Sequence, residues 1–145
     1  MMNLFDAKNF AVIKDHLETF DYEFSADEKR AILNCLFKIA KSDDDYHPKE
    51  KEMLKEISAI VGYDFDVFSK EDPLELTDPQ ISQILTGLDE GQKDWFVITA
   101  FLMIHADGVA LMQEYFKLEG YFEQMGITRE RWREVIKKTE EFFNS

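Results

Sequence analysis

The sequence predicts an all-α protein of about seven helices, in which two related helical hairpins pack against each other. Apolar residues recur at helical spacing through nearly all of the 145 residues, whereas strand-like alternation never lasts more than a few residues. Residues typical of helix starts and ends recur between these apolar stretches. One segment also occurs twice, 64 residues apart, without a gap in the alignment. Such a repeat indicates two copies of one supersecondary unit.

The first predicted helix lies in residues 1–24. Its apolar stripe comprises Phe10, Ile13, Leu17 and Phe20, which follow one another at helical spacing. We expect this helix to flank the repeated region.

The first hairpin follows. Ser25 and Glu28 have the spacing of a capping box, with Ser25 as the N-cap. The helix that they begin is predicted to stop at the acidic turn Ser42–His47. Pro48 suits the first position of the next helix, because the missing N–H of proline is not needed there. Gly62 is the predicted C-cap of that helix.

A connection and the second hairpin come next. Residues 63–76 are predicted to be irregular. Thr77 begins a short helix that Gly87 ends, and Asp89 with Gln92 repeats the capping pattern. The helix after it carries an apolar face that includes Trp95 and leads into the second acidic turn.

The second acidic turn spans residues 107–111, and the helix after it is predicted to end at Gly126. Thr128 begins the last predicted helix. Since no segment is rich in Pro or Ser, we expect one domain over residues 1–145, with the two copies near residues 25–63 and 89–127.

Composition limits the class of partner. The chain has 30 acidic residues against 17 Lys and Arg, a net charge of −13. This charge favours cations or a basic protein surface and disfavours nucleic acids and anionic lipids. No apolar run approaches the length of a membrane span, and no basic stretch precedes an apolar one near the start, so we expect neither membrane insertion nor a signal peptide. A single cysteine, Cys35, is typical of a protein in a reducing compartment, and we expect the cytoplasm.

The repeat aligns acidic residues of the two turns. Asp43 falls on Asp107, and Glu50 falls on Glu114. Carboxylates near a helix C-terminus repel its partial negative charge, and a bound cation would offset that repulsion. Oxygen ligands favour a hard ion, Ca²⁺ or Mg²⁺. The candidate metal ligands are therefore the four aligned acids, with Asp44 and Asp45 as additional candidates. Pseudo-symmetry predicts that Asp43 and Asp107 lie on one face.

The same acids have a structural interpretation. If Pro48 is the first helical residue, Glu50 is the third, where a glutamate can bond back to the N-cap N–H, and Glu114 takes the same place in the second copy. An EF-hand loop is excluded, because its glycine and glutamate positions are occupied by Pro48 and Leu54. Histidines at the ends of the turns, His47 and His105, leave a mixed histidine and carboxylate site open.

The two turn segments resemble a known signature. Residues 39–50, I-A-K-S-D-D-D-Y-H-P-K-E, and residues 105–114, H-A-D-G-V-A-L-M-Q-E, are similar to the motif A-x-A-D-G-x-[hydrophobic]-x-x-x-E of TerB-like domains, the tellurite-resistance type. The resemblance spans roughly residues 25–143. The chain departs from the motif at Asp44, which replaces the turn glycine, and at Ala110, which replaces an apolar residue.

This resemblance implies an all-helical fold with pseudo-twofold hairpins and an association with stress response. It also implies that certain acids of this chain match family positions suspected of binding a divalent metal. Those acids are Asp43, Glu50, Asp107 and Glu114.

Three function hypotheses follow. We expect a non-catalytic binding module whose acidic turns hold a divalent cation or a basic protein partner. The alternative is a purely structural or protein-interaction domain whose acids serve as helix caps, and a homo-oligomer stays open for it. A metal-dependent hydrolase has the least support, since the chain contains neither the Glu-x-x-His pair of bundle di-metal sites nor a Gly-rich phosphate loop.

Overall fold

Six α-helices make up most of the residues that the computed structural model describes, which are residues 15, 23–40, 48–63, 76–104 and 112–144. The helices are α1 (Ala26–Ala40), α2 (Pro48–Val61), α3 (Asp78–Thr86), α4 (Glu90–Ile104), α5 (Met112–Gln124) and α6 (Arg129–Asn144). No strand occurs within these ranges, and the prediction of an all-α fold is confirmed. Of the predicted N-terminal helix, Asp15 is described and is helical.

The two hairpins begin with the same local structure. At the start of α1, the Ser25 amide donates to Oε1 of Glu28 at 2.7 Å, and the Glu28 amide donates to Oγ of Ser25 at 3.1 Å. Asp89 and Gln92 make the same pair of bonds at the start of α4, at 3.0 and 2.8 Å. Each capping box provides acceptors for two N–H groups that have no partner within the helix. Both predicted helix starts are confirmed.

The bounds of the helices keep the offset of the aligned sequences. Helices α1 and α4 each span 15 residues and begin at Ala26 and Glu90, which are 64 residues apart. Helices α2 and α5 begin at Pro48 and Met112, which have the same offset. The two connections between paired helices therefore begin and end at aligned positions.

The second helix of each hairpin ends at a glycine. Gly62 and Gly126 have φ angles of 76° and 81°, in the left-handed region that favours glycine. The residue after each glycine donates its N–H to the carbonyl of Ser58 or Phe122, at 2.9 and 2.8 Å. These bonds, typical of a Schellman motif, occupy carbonyl groups that the helix end leaves free. The two predicted glycine caps are confirmed.

We expect Gly62→Ala and Gly126→Ala each to lower the free energy of unfolding by roughly 1 kcal/mol, because strain at positive φ outweighs the entropy removed from the unfolded chain. Steric clash adds little to this cost. A Cβ at Gly126 would meet no atom within 4 Å, and one at Gly62 would meet Nζ of Lys29 at 3.6 Å. Urea unfolding measures the effect. The control is Gly120→Ala in the interior of α5, which we expect to be more stable than the wild type. Wild-type stability in both cap variants would contradict the strain argument.

Helices α1 and α4 form the centre of the core. Helix α1 contacts α2, α3, α4 and α5, and α4 contacts α1, α2, α5 and α6. Every residue from Ala31 to Leu36 is buried, as is every residue from Trp95 to Phe101. A helix that is buried over full turns lies inside a core and not at its surface. The two hairpins therefore pack against each other through these helices, as predicted.

Helix α3 bridges the hairpins. Thr77 and Gln80 form a third capping box at its start, with bonds of 2.8 and 3.3 Å, and Gly87 is its C-cap. Ile81 and Leu85 are fully buried on the inner face of α3. Since α3 contacts α1 of the first hairpin and α5 of the second, its N-terminal end lies between the two copies.

Candidate functional site

Most of the predicted acidic site lies outside the described residues. Asp43, Asp44, Asp45 and Asp107 belong to segments that the structure does not describe. The prediction that Asp43 and Asp107 share one face therefore stays a prediction.

Glu50 and Glu114 lie in helices whose backbone is described. Glu50 is the third residue of α2, and Glu114 is the third residue of α5. The predicted helical positions of both glutamates are confirmed. At the third position a glutamate can cap the helix, and it also lies within a turn of the positive end of the helix dipole.

Within the described ranges, no group of three or more His, Cys, Asp or Glu side chains is arranged to hold a metal ion. Any cation site must therefore draw its ligands at least partly from the two acidic connections. Among the described helices, none combines the length and the apolar character required to cross a bilayer.

A charged cluster lies where α3 meets α1 and α5. Asp78 is the first residue of α3, and its Oδ1 accepts hydrogen bonds from Nζ of Lys38 at 3.1 Å and from the Tyr121 hydroxyl at 2.6 Å. Its Oδ2 accepts from Nζ of Lys117 at 3.3 Å. Lys38 belongs to α1 and the other two donors belong to α5. A single carboxylate thus links both hairpins to the helix between them.

The electrostatics of this cluster hold Asp78 ionised. The hydrogen bond from Tyr121, followed by those from the two lysines, lowers the pKa of Asp78 from 3.8 to about 2. Burial raises the pKa of Tyr121 above its ordinary value, and the hydrogen bond to Asp78 acts in the same direction. Both groups therefore keep their charge states across the physiological range, so the pair serves as a structural link and is unsuited to proton transfer.

Cys35 lies in the same region of α1. It is fully buried, and burial raises the pKa of its thiol, with the negative charge of Asp78 adding to the effect. A protonated, inaccessible thiol is a poor nucleophile and a poor metal ligand. The prediction that Cys35 is a small buried apolar residue is confirmed.

Sequence reasoning missed the Asp78 cluster. It interpreted the segment around Asp78 solely as a helix start. The available signal was the spacing of Lys117 and Tyr121, which lie four residues apart and so share one face of a predicted helix. Their partner lies about 40 residues earlier, and no helical periodicity connects residues at that separation.

Comparison with known proteins yields one family. The family model described as tellurite resistance protein TerB matches residues 10–70. The match includes α1, the first acidic turn and α2, and it ends before α3. It confirms the resemblance that the first copy of the motif predicted. No curated protein and no solved structure matches the chain.

Proposed function

We propose that this protein, whose residues 10–70 form a TerB-like helical domain, is a non-catalytic binding module that holds a divalent cation, Ca²⁺ or Mg²⁺, at its two acidic turns. The proposed ligands are Asp43, Glu50, Asp107 and Glu114, with Asp44 and Asp45 as additional candidates. The metal-bound face would then recruit a protein partner, in the cytoplasm and in the stress or tellurite resistance that the family name indicates.

The equivalent backbone frame of the two turns carries this proposal. The helices before the turns end at Ala40 and Ile104, and the helices after them place Glu50 and Glu114 at the same third position. Equal connections between equal helix ends favour equal placement of the aligned aspartates. Because each turn follows a helix C-terminus, where carboxylates are repelled, a divalent cation would stabilise the arrangement.

The same frame supports a second candidate function. A glutamate at the third helical position can bond to the N-cap N–H, so the acids could act as helix caps in a domain that binds partners through other surfaces. The two candidates differ in one respect. Only a metal module gains stability when a divalent cation is added.

We expect calorimetric titration of the full chain with CaCl₂ and MgCl₂ to show saturable binding, and we expect the Asp43→Asn/Asp107→Asn double variant to lose it. Carboxylates supply the charge that a hard cation requires, so removal of two of them weakens binding strongly. The matched control is Glu52→Gln/Glu123→Gln. It removes the same charge from exposed positions of α2 and α5, one in each hairpin, and should bind as the wild type does.

The outcomes separate the two candidates. Saturable binding that the control keeps and the aspartate variant loses supports the metal module. Absence of binding, together with a folded but less stable aspartate variant, rejects the metal and supports the caps. Sedimentation with and without chelator then shows whether a cation changes the oligomeric state.

A further inference from the structure

A small cavity adjoins the Asp78 cluster, between the start of α3 and one face of α5. Its volume is about 140 Å³. It is lined by Asp78, Phe116, Lys117, Gly120, Tyr121 and Gln124. This cavity is separate from the acidic turns, and its chemistry is different.

The polar wall of the cavity favours an anion. The adjoining cluster holds two ammonium groups, those of Lys38 and Lys117, against the one carboxylate of Asp78, so its local charge is positive although the chain is strongly acidic. Asp78 already accepts from three donors. Lys117 gives one N–H to Asp78, and its other N–H groups have no hydrogen-bond partner in the described part of the chain. With its side chain 37% exposed, Lys117 can donate to a bound anion.

Gly120 keeps the cavity open. It lies in the interior of α5, where glycine costs about 1 kcal/mol relative to alanine. A Cβ at Gly120 would meet no atom within 4 Å, so neither a close helix contact nor the backbone conformation requires a glycine there. Any larger side chain at this position would occupy the cavity.

The apolar wall sets the shape of the ligand. Phe116 is 66% exposed, and it is the one large apolar side chain that the described residues expose to this extent. It stands at the cavity beside the ring of Tyr121. A cavity of this volume matches a body about the size of one benzene ring.

We propose that this cavity binds a small organic carboxylate, with the carboxylate on the Lys117 ammonium and a ring-sized apolar body against Phe116 and over Gly120. The site differs in location and in charge from the proposed metal site, and neither depends on the other.

The test uses the full chain, labelled with ¹⁵N, and benzoate as the probe. We expect saturable amide shifts in α5 and at the start of α3, in the millimolar range that a ligand of so few atoms can reach. Benzamide has the same shape without the charge and should bind about tenfold more weakly or not at all.

Three variants locate the site. Lys117→Met places here the residue that the first hairpin has at the aligned position, Met53, and it should weaken benzoate binding about tenfold or more. Gly120→Leu should abolish binding while the denaturation midpoint stays equal or rises, because leucine favours a helix. Lys138→Met removes the same charge from an exposed position of α6 and should bind as the wild type does.

The proposal is overturned by absence of saturable benzoate binding, by equal affinity for benzamide, or by unchanged affinity in either Lys117→Met or Gly120→Leu. Circular dichroism of each variant confirms that it is folded, so a loss of binding reports on the cavity and not on the fold.

Discussion

The Phe122→Ala variant should lose about 3–5 kcal/mol of its free energy of unfolding, the largest effect that we expect from one substitution. Phe122 is 1% exposed. Its ring lies 6.1 Å from that of Phe96, 6.3 Å from that of Phe101 and 6.1 Å from that of Trp132, measured between ring centroids. Truncation would leave a cavity among rings contributed by α4, α5 and α6. These rings cannot all move inward, because each is held by its own helix.

A matched control lies on the same helix. Phe116→Ala removes the same atoms from an exposed position, so we expect a change within about 0.5 kcal/mol. Urea unfolding followed by circular dichroism measures both variants, and Phe122→Leu gives a smaller loss if Phe122→Ala does not fold. Equal losses for Phe116→Ala and Phe122→Ala would contradict the placement of Phe122 in the core.

The second large effect concerns Asp78. We expect Asp78→Ala to lower the free energy of unfolding by about 2 kcal/mol at neutral pH, since it removes the acceptor of three hydrogen bonds. The figure is below the sum for three buried bonds, because the Asp78 side chain is 43% exposed and water screens its charge. The Lys38 side chain, 16% exposed, would then keep the carbonyl of Leu76 as its acceptor.

This effect should depend on pH. The pKa of Asp78 is lowered in the folded protein from 3.8 to about 2, so its contribution to stability is present in full above about pH 4 and is lost as the pH falls to about 2. The difference between the wild type and Asp78→Ala should shrink over that range. Asp27→Ala, which removes an exposed acid from the first turn of α1, is the control, and it should cost less than about 1 kcal/mol. A difference that stays constant down to pH 2 would contradict the role of the ionised carboxylate.

The helix ends could be predicted from sequence because their determinants are local. Ser25 with Glu28 and Asp89 with Gln92 satisfy backbone groups within one turn of chain, and Gly62 and Gly126 take a φ that other residues avoid. These interactions do not depend on what the helix later packs against. The third-position glutamates of α2 and α5 could be placed for the same reason.

The candidate site could be predicted less completely. The alignment of the two copies identifies which acids correspond, and the TerB match supports the first copy. Periodicity and spacing do not determine how two turns 64 residues apart approach each other, since that depends on the packing of α1 against α4.

The sequence by itself therefore determined the all-α class, the helix starts and ends, and the correspondence between the two halves, since each rests on interactions between residues close in the chain. The tertiary structure decided which helices are buried on all sides. The sequence predicted one inward face for α4, yet every residue from Trp95 to Phe101 is buried, because α4 is enclosed by four other helices. The tertiary structure also brought Asp78 to Lys38, Lys117 and Tyr121. The four groups lie about 40 residues from one another on either side of Asp78, and only the packing of α3 between the two hairpins places them within hydrogen-bond distance.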